Sequence, residues 1–282
     1  MTKKVDQTFL KVKDHLVSGE SFELVYDSER KFLKTTPQPD MKVIHKYYES
    51  TDYISHTDSK AGFMANIYQG VKKYSLSKKL RLVTALHGGP GKLLDIGAGT
   101  GDFLVLSKKY QWDVMGVEPD GNAGSLSALK GVELVKSIDE LEGQLFDVVT
   151  LWHVLEHLPN LDNTLLKIEA LVRPGGNLII AVPNYKSFDA TYYKEYWAAY
   201  DTPRHLWHFS RESMSVLFSR EMTLVKVKPL IFDSFYVSLL SEKYKSGSKF
   251  SVKAIFIGLW SNISAWRTKE FSSLIYCFKK AV

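Results

Sequence analysis

Three glycines at alternate positions follow a short apolar stretch in the middle of the chain. Gly97, Gly99 and Gly101 come directly after residues 93–96, and Asp102 opens an apolar run that fits a helix. A strand, a glycine turn and a helix in this order bind a nucleotide-like ligand at the carboxyl end of a parallel strand. Glycine lets the backbone approach a ligand closely and adopt positive φ. We therefore predict a ligand-binding turn at these residues.

The residues around the turn restrict which class of ligand it can bind. A dinucleotide fingerprint would have glycine where Asp102 stands, and no Gly-Lys-Ser/Thr triplet follows as in a phosphate-binding loop. Asp102 would repel a pyrophosphate, whereas it can accept hydrogen bonds from free N–H groups at the helix start. Asp95 could attract a cationic α-amino group, and Glu118 stands where an acid can bind both ribose hydroxyls. A ligand with ribose, adenine and an amino acid but no phosphate is S-adenosylmethionine.

Four segments resemble motifs of the class I S-adenosylmethionine-dependent methyltransferases, in their ubiquinone-biosynthesis-like branch. They occur in the family's order at matching spacing, and the resemblance runs from about residue 45 to the C-terminus. The segments are residues 93–104 (LLDIGAGTGDFL), 117–120 (VEPD), 146–149 with 151–158 (FDVV, LWHVLEHL) and 173–176 (RPGG). The resemblance implies an enzyme that uses S-adenosylmethionine and releases S-adenosylhomocysteine.

The resemblance also implies a set of cofactor contacts. Gly97, Ala98 and Gly99 would contact the methionine part, and Glu118 would hold the ribose. The further contacts that it implies are Pro119 near the adenine, Ile138 and Asp139 at the adenine face and amino group, Trp152 and His153 at the end of the fourth strand, and Tyr53 and His56 in a segment that closes over the cofactor. Plain packing is the alternative for Ile138, Tyr53 and His56. His157 is interpreted as structural.

Residues 200–210 (YDTPRHLWHFS) follow the fifth predicted strand and resemble a segment on the family's substrate side. Methyl transfer needs proximity, in-line alignment and removal of the acceptor's proton. His205 could be the general base, as could His208, and Arg204 could pair with a substrate carboxylate or phosphate. An Asp201–Arg204 ion pair and a helix-capping histidine form the structural alternative. No cluster of three carboxylate or amide ligands is evident in the motifs, so no metal is predicted.

The remaining pattern predicts an α/β fold. Strands and helices alternate from residue 93 to residue 182, which is typical of a parallel sheet with helices on both faces. With the family's topology, we expect a Rossmann-like, seven-stranded, mostly parallel sheet whose last strand is antiparallel. The predicted strands are residues 93–96, 113–117, 132–135, 146–151, 177–182, 223–227 and 273–278. The predicted helices include residues 59–86, with a break near 75–77, and residues 102–110, 121–129, 161–172, 210–220, 234–244 and 252–266.

Three parts of the chain are expected: a small N-terminal β-hairpin element at 1–40, a helical cover at 41–90 and the methyltransferase domain at 91–282. The domain contains an irregular aromatic insert at 184–209, which is typical of a functional lid. The hairpin resembles a zinc ribbon that precedes the domain in many relatives. Here YDSE at 26–29 stands where a cysteine pair would be expected. Because structural zinc prefers thiolate and imidazole, we expect a metal-free hairpin.

Composition excludes several classes of protein. The 45% hydrophobic and 24% charged fractions of the 282 residues are ordinary for a soluble globular chain. Cys277 is the only cysteine, which rules out an intrachain disulfide framework. The net charge of +6 permits an anionic partner, but the lysines are spread out and give no strong nucleic-acid signal. The polar N-terminus and the absence of a long apolar run predict no signal peptide and no transmembrane segment. Because no disulfide framework is possible, a reducing cytoplasm is the expected location. The oligomeric state is left open.

The leading hypothesis is methyl transfer to a small-molecule or lipid-precursor acceptor, with oxygen as the expected site and a histidine as base. Methylation of RNA or protein stays open because the chain is basic. A cofactor-binding regulatory module without catalysis also stays open. VPNY at 182–185 only partly matches the N-P-P-Y motif of amino-methylating relatives. The aromatic stretch 256–266 could contact a membrane or an apolar substrate, although the preferred interpretation is that it covers the sheet.

Overall fold

The computed structural model describes residues 7–40, 42–48, 63–248 and 251–282, with the side chains of 63–68 left aside. Its strands are β1 (Gln7–Lys13), β2 (Ser21–Tyr26), β3 (Leu33–Thr36), β4 (Lys92–Ile96), β5 (Asp113–Val117), β6 (Leu134–Val135), β7 (Phe146–Trp152), β8 (Val172–Pro183), β9 (Trp207–His208), β10 (Met222–Pro229) and β11 (Ser273–Lys280). Its α-helices are α1 (Phe63–His87), α2 (Asp102–Lys109), α3 (Gly121–Leu129), α4 (Leu161–Leu171), α5 (Phe188–Tyr193), α6 (Arg211–Ser215), α7 (Asp233–Ser246) and α8 (Val252–Thr268).

The main sheet has seven strands in the order β10-β11-β8-β7-β4-β5-β6 within the described residues. The strands from β8 to β6 are parallel, whereas β11 is antiparallel to both β8 and β10. The predicted Rossmann-like sheet with an antiparallel last strand is therefore confirmed. The order places β4 in the middle, and the glycine turn follows its carboxyl end.

Both faces of this sheet are covered, because neighbouring side chains of a strand point to opposite faces. Leu94 of β4 packs into a core that includes Leu165 and Ile168 of α4. Leu93, one residue earlier, packs into a second core with Val83 of α1 and Leu104 of α2. The sequences of the central strands are consequently continuous apolar runs, which is the pattern of a parallel sheet buried on both faces.

The N-terminal element is larger than the predicted hairpin. β1, β2, β3 and β9 form an antiparallel four-stranded sheet in that order, and β9 comes from the aromatic insert. Phe22 and Leu24 of β2 pack with Trp197 and Tyr200 of the insert. The sequence prediction missed β1 and the pairing of β3 with β9, since a two-residue strand carries almost no local signal. The N-terminal sheet and the insert therefore form one packed unit.

Several predicted boundaries also change. Helix α1 is continuous through residues 75–77, where the Ser77 hydroxyl donates to the Lys73 carbonyl oxygen. The helix expected at 210–220 ends at Ser215. β8 begins at Val172, so residues 173–176 form an irregularity within the strand and not a stop before it; Phe146 aligns with Val172 but Val148 aligns with Asn177. Among the described residues, no helix is long and apolar enough to cross a membrane.

Candidate active site

The glycine turn is held against the end of β5. The Gly97 and Ala98 N–H groups donate to the Val117 carbonyl oxygen at 2.8 and 3.0 Å. Gly97, Gly99 and Gly101 all have positive φ, at 73°, 53° and 73°. A side chain at Gly97 would collide with Val154, whereas one at Gly99 would meet no atom of the described residues within 4 Å. Gly97 is thus required by packing, and Gly99 leaves open space above the turn.

Glu118 joins the turn to the next strand. Its Oε2 accepts a hydrogen bond from the Gly99 N–H at 2.8 Å, and its Oε1 accepts one from the Asp120 N–H at 3.1 Å. These two bonds fix the carboxylate while leaving each oxygen a further lone pair for a hydroxyl donor. Pro119 follows and is exposed. The acid predicted to hold a ribose is therefore oriented beside the turn.

Asp95 lies at the base of the turn and is only 3% exposed. Its Oδ1 accepts a hydrogen bond from the Thr150 hydroxyl at 2.6 Å. Burial raises the pKa of Asp95 to about 7, and the Glu118 carboxylate raises it further, against the lowering effects of Thr150 and Lys79. A cationic group arriving here would favour the ionised carboxylate. Asp95 is buried beneath the open space and does not line it as an exposed contact.

Asp102 departs from the expectation that it accepts hydrogen bonds from the helix start. Its carboxylate forms ion pairs with Lys72 of α1 and with Lys130, the residue that follows α3, each at 2.6 Å. The α2 N-terminus has no side-chain cap. The pKa of Asp102 is lowered: burial raises it, but the two lysines outweigh that effect. Asp102 consequently ties α1 and α3 to the turn.

The end of β7 places Trp152 and His153 beside the turn. The indole Nε1 of Trp152 is buried without a hydrogen-bond acceptor in the described part of the chain. His153 has φ of 58°, and its Nε2 lies 3.1 Å from the Asp233 carboxylate while its Nδ1 lies 3.5 Å from Glu156. Burial lowers the pKa of His153, but Asp233 and Glu156 raise it to about 10. The two carboxylates therefore favour the charged form of His153.

The residues predicted to contact the adenine differ in burial and in their partners. Ile138 is half-buried and packs against the main core. Asp139 is exposed, and its carboxylate forms an ion pair with Lys167 of α4. An adenine amino group would have to compete with that lysine. Tyr53 and His56 lie outside the described residues, so their predicted contacts stay predictions.

The structure favours the structural alternative for Arg204. The side chain is 1% exposed, and its guanidinium donates to Asp201, to Asp14 and to the Tyr47 carbonyl oxygen at 2.7–3.0 Å. Asp14 follows β1, so Arg204 fastens the insert to the N-terminal sheet. A guanidinium with these partners and this burial does not face a substrate.

The two predicted base candidates differ in position. His208 is buried in β9 and its Nε2 contacts the Thr35 hydroxyl at 2.9 Å, which links β9 to β3. Burial, together with His205, holds the pKa of His208 well below its usual range. His205 instead lines a cavity of about 500 Å³, and its Nδ1 donates to the Ala199 carbonyl oxygen at 2.9 Å. His205 is thus the candidate that reaches a space for a substrate.

Sequence reasoning missed several residues of this cavity. Its wall includes His153 and Glu156 after β7, Asp201 and His205 of the insert, and Asp233 and Tyr236 of α7. Glu156 and Asp233 were not singled out as site residues. Glu156 stood beside His157 in a recognised motif, which was an available signal. No local pattern indicated that α7 would meet the end of β7.

The fold and site define a class I S-adenosylmethionine-dependent methyltransferase domain. The sequence model described as "Methyltransferase domain" matches residues 52–221, well over half of the chain. The chain therefore belongs to that family, and the predicted resemblance is confirmed. S-adenosylmethionine is the methyl donor of this class.

Curated relatives support the same family. The ubiquinone biosynthesis O-methyltransferase of Aeromonas salmonicida is 36% identical over 118 residues, which is 38% of this chain and 50% of the relative. That of Hahella chejuensis is 29% identical over 106 residues, 34% of this chain and 44% of the relative. The chain thus spans about half the length, or less, of these curated relatives.

Solved structures share the fold. A putative sarcosine dimethylglycine methyltransferase from Galdieria sulphuraria has a TM-score of 0.51 at 13% identity, covering 74% of this chain and 85% of that one. Coclaurine N-methyltransferase, bound to N-methylheliamine and S-adenosylhomocysteine, has a TM-score of 0.50 at 17% identity, covering 73% and 71%. At these identities the likeness concerns the fold alone.

Proposed function

We propose that this protein transfers a methyl group from S-adenosylmethionine to an oxygen atom of a small-molecule acceptor. The observation that carries the proposal is the position of His153. It follows β7, whose end lies beside the glycine turn of the neighbouring strand β4, and it also lines the cavity of about 500 Å³. One residue thus connects the predicted donor side with a space for an acceptor.

The residues around the turn fit the donor. Glu118 has fixed carboxylate oxygens for the ribose hydroxyls, and Gly99 leaves open space for close approach. Asp95 lies buried beneath the turn, where the cofactor's α-ammonium group would favour its ionised form. The indole N–H of Trp152, which has no acceptor among the described residues, offers a hydrogen-bond donor. When bound, S-adenosylmethionine supplies an electrophilic methyl group on a sulfonium. The chain's own residues position that group and exclude water.

The cavity fits a small acceptor with an apolar body and a polar end. Leu16, Val237 and Leu240 contribute apolar side chains to its wall, and Glu156 and His205 contribute polar atoms. Such a mixture is usual for small-molecule sites. Because Leu16 belongs to the N-terminal unit, that unit completes the pocket. The relatives' name, ubiquinone biosynthesis O-methyltransferase, supports oxygen as the methyl acceptor.

Methylation of a hydroxyl releases one proton, which a base must accept. The acceptor oxygen forms a bond to the methyl carbon, the carbon–sulfur bond breaks, and the sulfur keeps the electron pair as a neutral thioether. The hydroxyl proton leaves to a base. The Nδ1 of His205 is bound to the Ala199 carbonyl oxygen, so its Nε2 is the nitrogen left to accept a proton from the cavity. Proximity and alignment of the two reacting groups contribute to the rate enhancement.

Two measurements test the proposal. Calorimetry with S-adenosylmethionine should show binding to the wild type, weaker binding to Glu118→Ala and unchanged binding to Glu133→Ala, an exposed acid used as the matched control. No binding by the wild type would contradict the donor assignment.

A tritiated-methyl screen of metabolite, RNA and protein fractions should label small molecules. Label found only in RNA or only in protein would overturn the acceptor class, and binding without any label would indicate a non-catalytic module.

A further inference from the structure

Helix α8 directs large apolar side chains into solvent and packs small or polar side chains against the protein. The buried residues of the helix are Ala254, Gly258, Ser261, Asn262 and Ala265. Its large apolar side chains are 40–68% exposed, and they include Phe256, Leu259, Trp260, Ile263 and Trp266. A surface helix of a globular protein normally has the opposite arrangement. The preferred interpretation that the aromatic stretch 256–266 covers the sheet is therefore wrong for these side chains.

The five exposed side chains lie on one face of α8, because their spacing of three or four residues follows the helical turn. We call this face the α8 stripe. Ile231, which is 45% exposed, lies next to the helix, since the Asn262 amide donates to the Ile231 carbonyl oxygen at 2.9 Å. A continuous exposed apolar surface of this kind marks a site of interaction with a protein or a membrane.

The orientation of α8 is fixed by its buried face. A side chain at Gly258 would meet the Cα of Phe235 at 2.9 Å, so α8 approaches α7 as closely as its backbone allows. The buried Ser261 hydroxyl donates to the Asp189 carboxylate at 2.6 Å. Rotation of the helix about its axis would break this bond and the close contact. The α8 stripe is therefore held outward by the fold.

The charge around the stripe has one sign. Residues 243–269 contain no Asp or Glu, and their basic residues are Lys243, Lys245, Lys249, Lys253, Arg267 and Lys269. The acids at the two ends of this segment already have partners. Glu242 forms an ion pair with Lys253 at 3.1 Å, and Glu270 accepts a hydrogen bond from the Asn184 amide at 2.8 Å. An apolar stripe with exposed cations such as Arg267 and Lys269 is complementary to a surface that is negative outside and apolar inside.

The same charges disfavour a second copy of this chain as the partner. A two-fold interface places the same patch of both copies face to face. Pairing through the α8 stripe would thus bring the cations of residues 243–269 together, and this segment has no acid to pair with them. An anionic lipid surface offers the negative charge that a second copy lacks.

We propose that the α8 stripe binds to the surface of an anionic lipid bilayer, with the helix lying in the plane of the interface. Tryptophan is favoured at the level of the lipid headgroups, and Trp260 and Trp266 would occupy that level. The 17 residues of α8 lie along the membrane and do not cross it. Because α7 and not α8 contributes to the cavity wall described above, this binding does not rest on the proposed methyl transfer.

The test uses the full chain and vesicles of equal parts phosphatidylcholine and phosphatidylglycerol. Co-sedimentation should show binding by the wild type, and weaker binding to pure phosphatidylcholine or at high salt, because the cations contribute to it. The double variant Phe256→Ser/Trp260→Ser should bind at least tenfold more weakly, since two aromatic side chains no longer enter the lipid. The matched control is Tyr110→Ser/Leu129→Ser, which changes exposed apolar side chains at the ends of α2 and α3 and should bind as the wild type does.

Fluorescence quenching tests which face enters the lipid. Brominated phosphatidylcholine in the vesicles should quench the tryptophan fluorescence of the wild type. Trp260→Phe/Trp266→Phe keeps aromatic side chains and should still bind, but most of the quenching should be lost. Unchanged quenching in this variant would show that another part of the protein enters the bilayer.

Three further results would overturn the proposal. The first is failure of the wild type to bind the anionic vesicles, and the second is equal binding by the wild type and a folded Phe256→Ser/Trp260→Ser variant. The third is a wild-type dimer, seen by light scattering, that this variant converts to monomers, because a second copy would then cover α8. Circular dichroism and binding of S-adenosylmethionine check that each variant is folded.

Discussion

The carboxylate of Glu118 accepts a hydrogen bond from the backbone N–H of Gly99 at 2.8 Å. This bond joins the end of β5 to the turn after β4, so the predicted ribose-binding acid also positions the glycine turn. The two functions can be separated by a substitution that keeps one acceptor oxygen.

Glu118→Gln is expected to weaken binding of S-adenosylmethionine about tenfold, which corresponds to roughly 1.4 kcal/mol. The amide oxygen can still accept from the Gly99 N–H, but the amide nitrogen that replaces the other oxygen can accept neither the Asp120 N–H nor a ribose hydroxyl. Calorimetry measures the affinity, and Glu133→Gln is the control. A variant with wild-type affinity would show that Glu118 does not contact the ligand.

Gly97→Ala is expected to destabilise the protein by about 2–3 kcal/mol, because the new methyl group would collide with Val154 at a residue with positive φ. Gly99→Ala should cost only about 1 kcal/mol, since it meets strain but no collision. Denaturant unfolding measures both changes. Equal destabilisation by the two variants would contradict this distinction. Gly99→Ala should instead lower the affinity for S-adenosylmethionine, because its methyl group enters the open space.

Arg204→Ala should destabilise the protein by about 3–5 kcal/mol, because it leaves two acids without their buried cation. Asp14 and Asp201 are the acids concerned. The N-terminal sheet should also become sensitive to protease. Arg267→Ala, at an exposed position of α8, should change stability by less than about 0.5 kcal/mol. Arg204→Ala with wild-type stability and lost activity would instead restore Arg204 as a substrate contact.

Asp95 predicts a pH dependence of stability. Its pKa rises from 3.8 to about 7 on folding, so between these values the folded protein holds a proton that the unfolded chain has lost. Its contribution to stability is therefore greatest at low pH, falls as the pH rises towards 7, and levels off above that. Asp95→Asn removes this contribution while keeping an acceptor for Thr150. As the pH rises from 4 to 8, the free energy of unfolding of the variant should therefore increase relative to that of the wild type by up to a few kcal/mol. Each unit by which folding raises the pKa of Asp95 corresponds to about 1.4 kcal/mol.

Urea unfolding of both proteins at several pH values measures that difference, with no ligand present. Effects of other titrating groups cancel in the comparison. Parallel pH profiles for the wild type and Asp95→Asn would show that Asp95 is ionised in the folded protein at neutral pH. Addition of S-adenosylmethionine should lower the pKa of Asp95, since its α-ammonium group favours the carboxylate.

The sequence by itself determined the main sheet and the donor side of the site. Alternating strands and helices, buried apolar runs such as residues 93–96 and the spacing of Gly97, Gly99 and Gly101 are local patterns, and local patterns are visible in one sequence. The acid at Glu118 was predicted in the same way, because strand ends of a parallel sheet meet at one edge.

Only the tertiary structure decided the contacts on the side where we propose that the acceptor binds. The pairing of β3 with β9, the burial of Arg204 between Asp14 and Asp201, and the meeting of Glu156 with His205 join segments that are distant in the chain. Such contacts depend on how the insert packs against the N-terminal sheet and on which side chains that packing removes from water. The insert, with His205 and His208, would therefore have the same sequence whether these residues faced a substrate, a metal ion or the core.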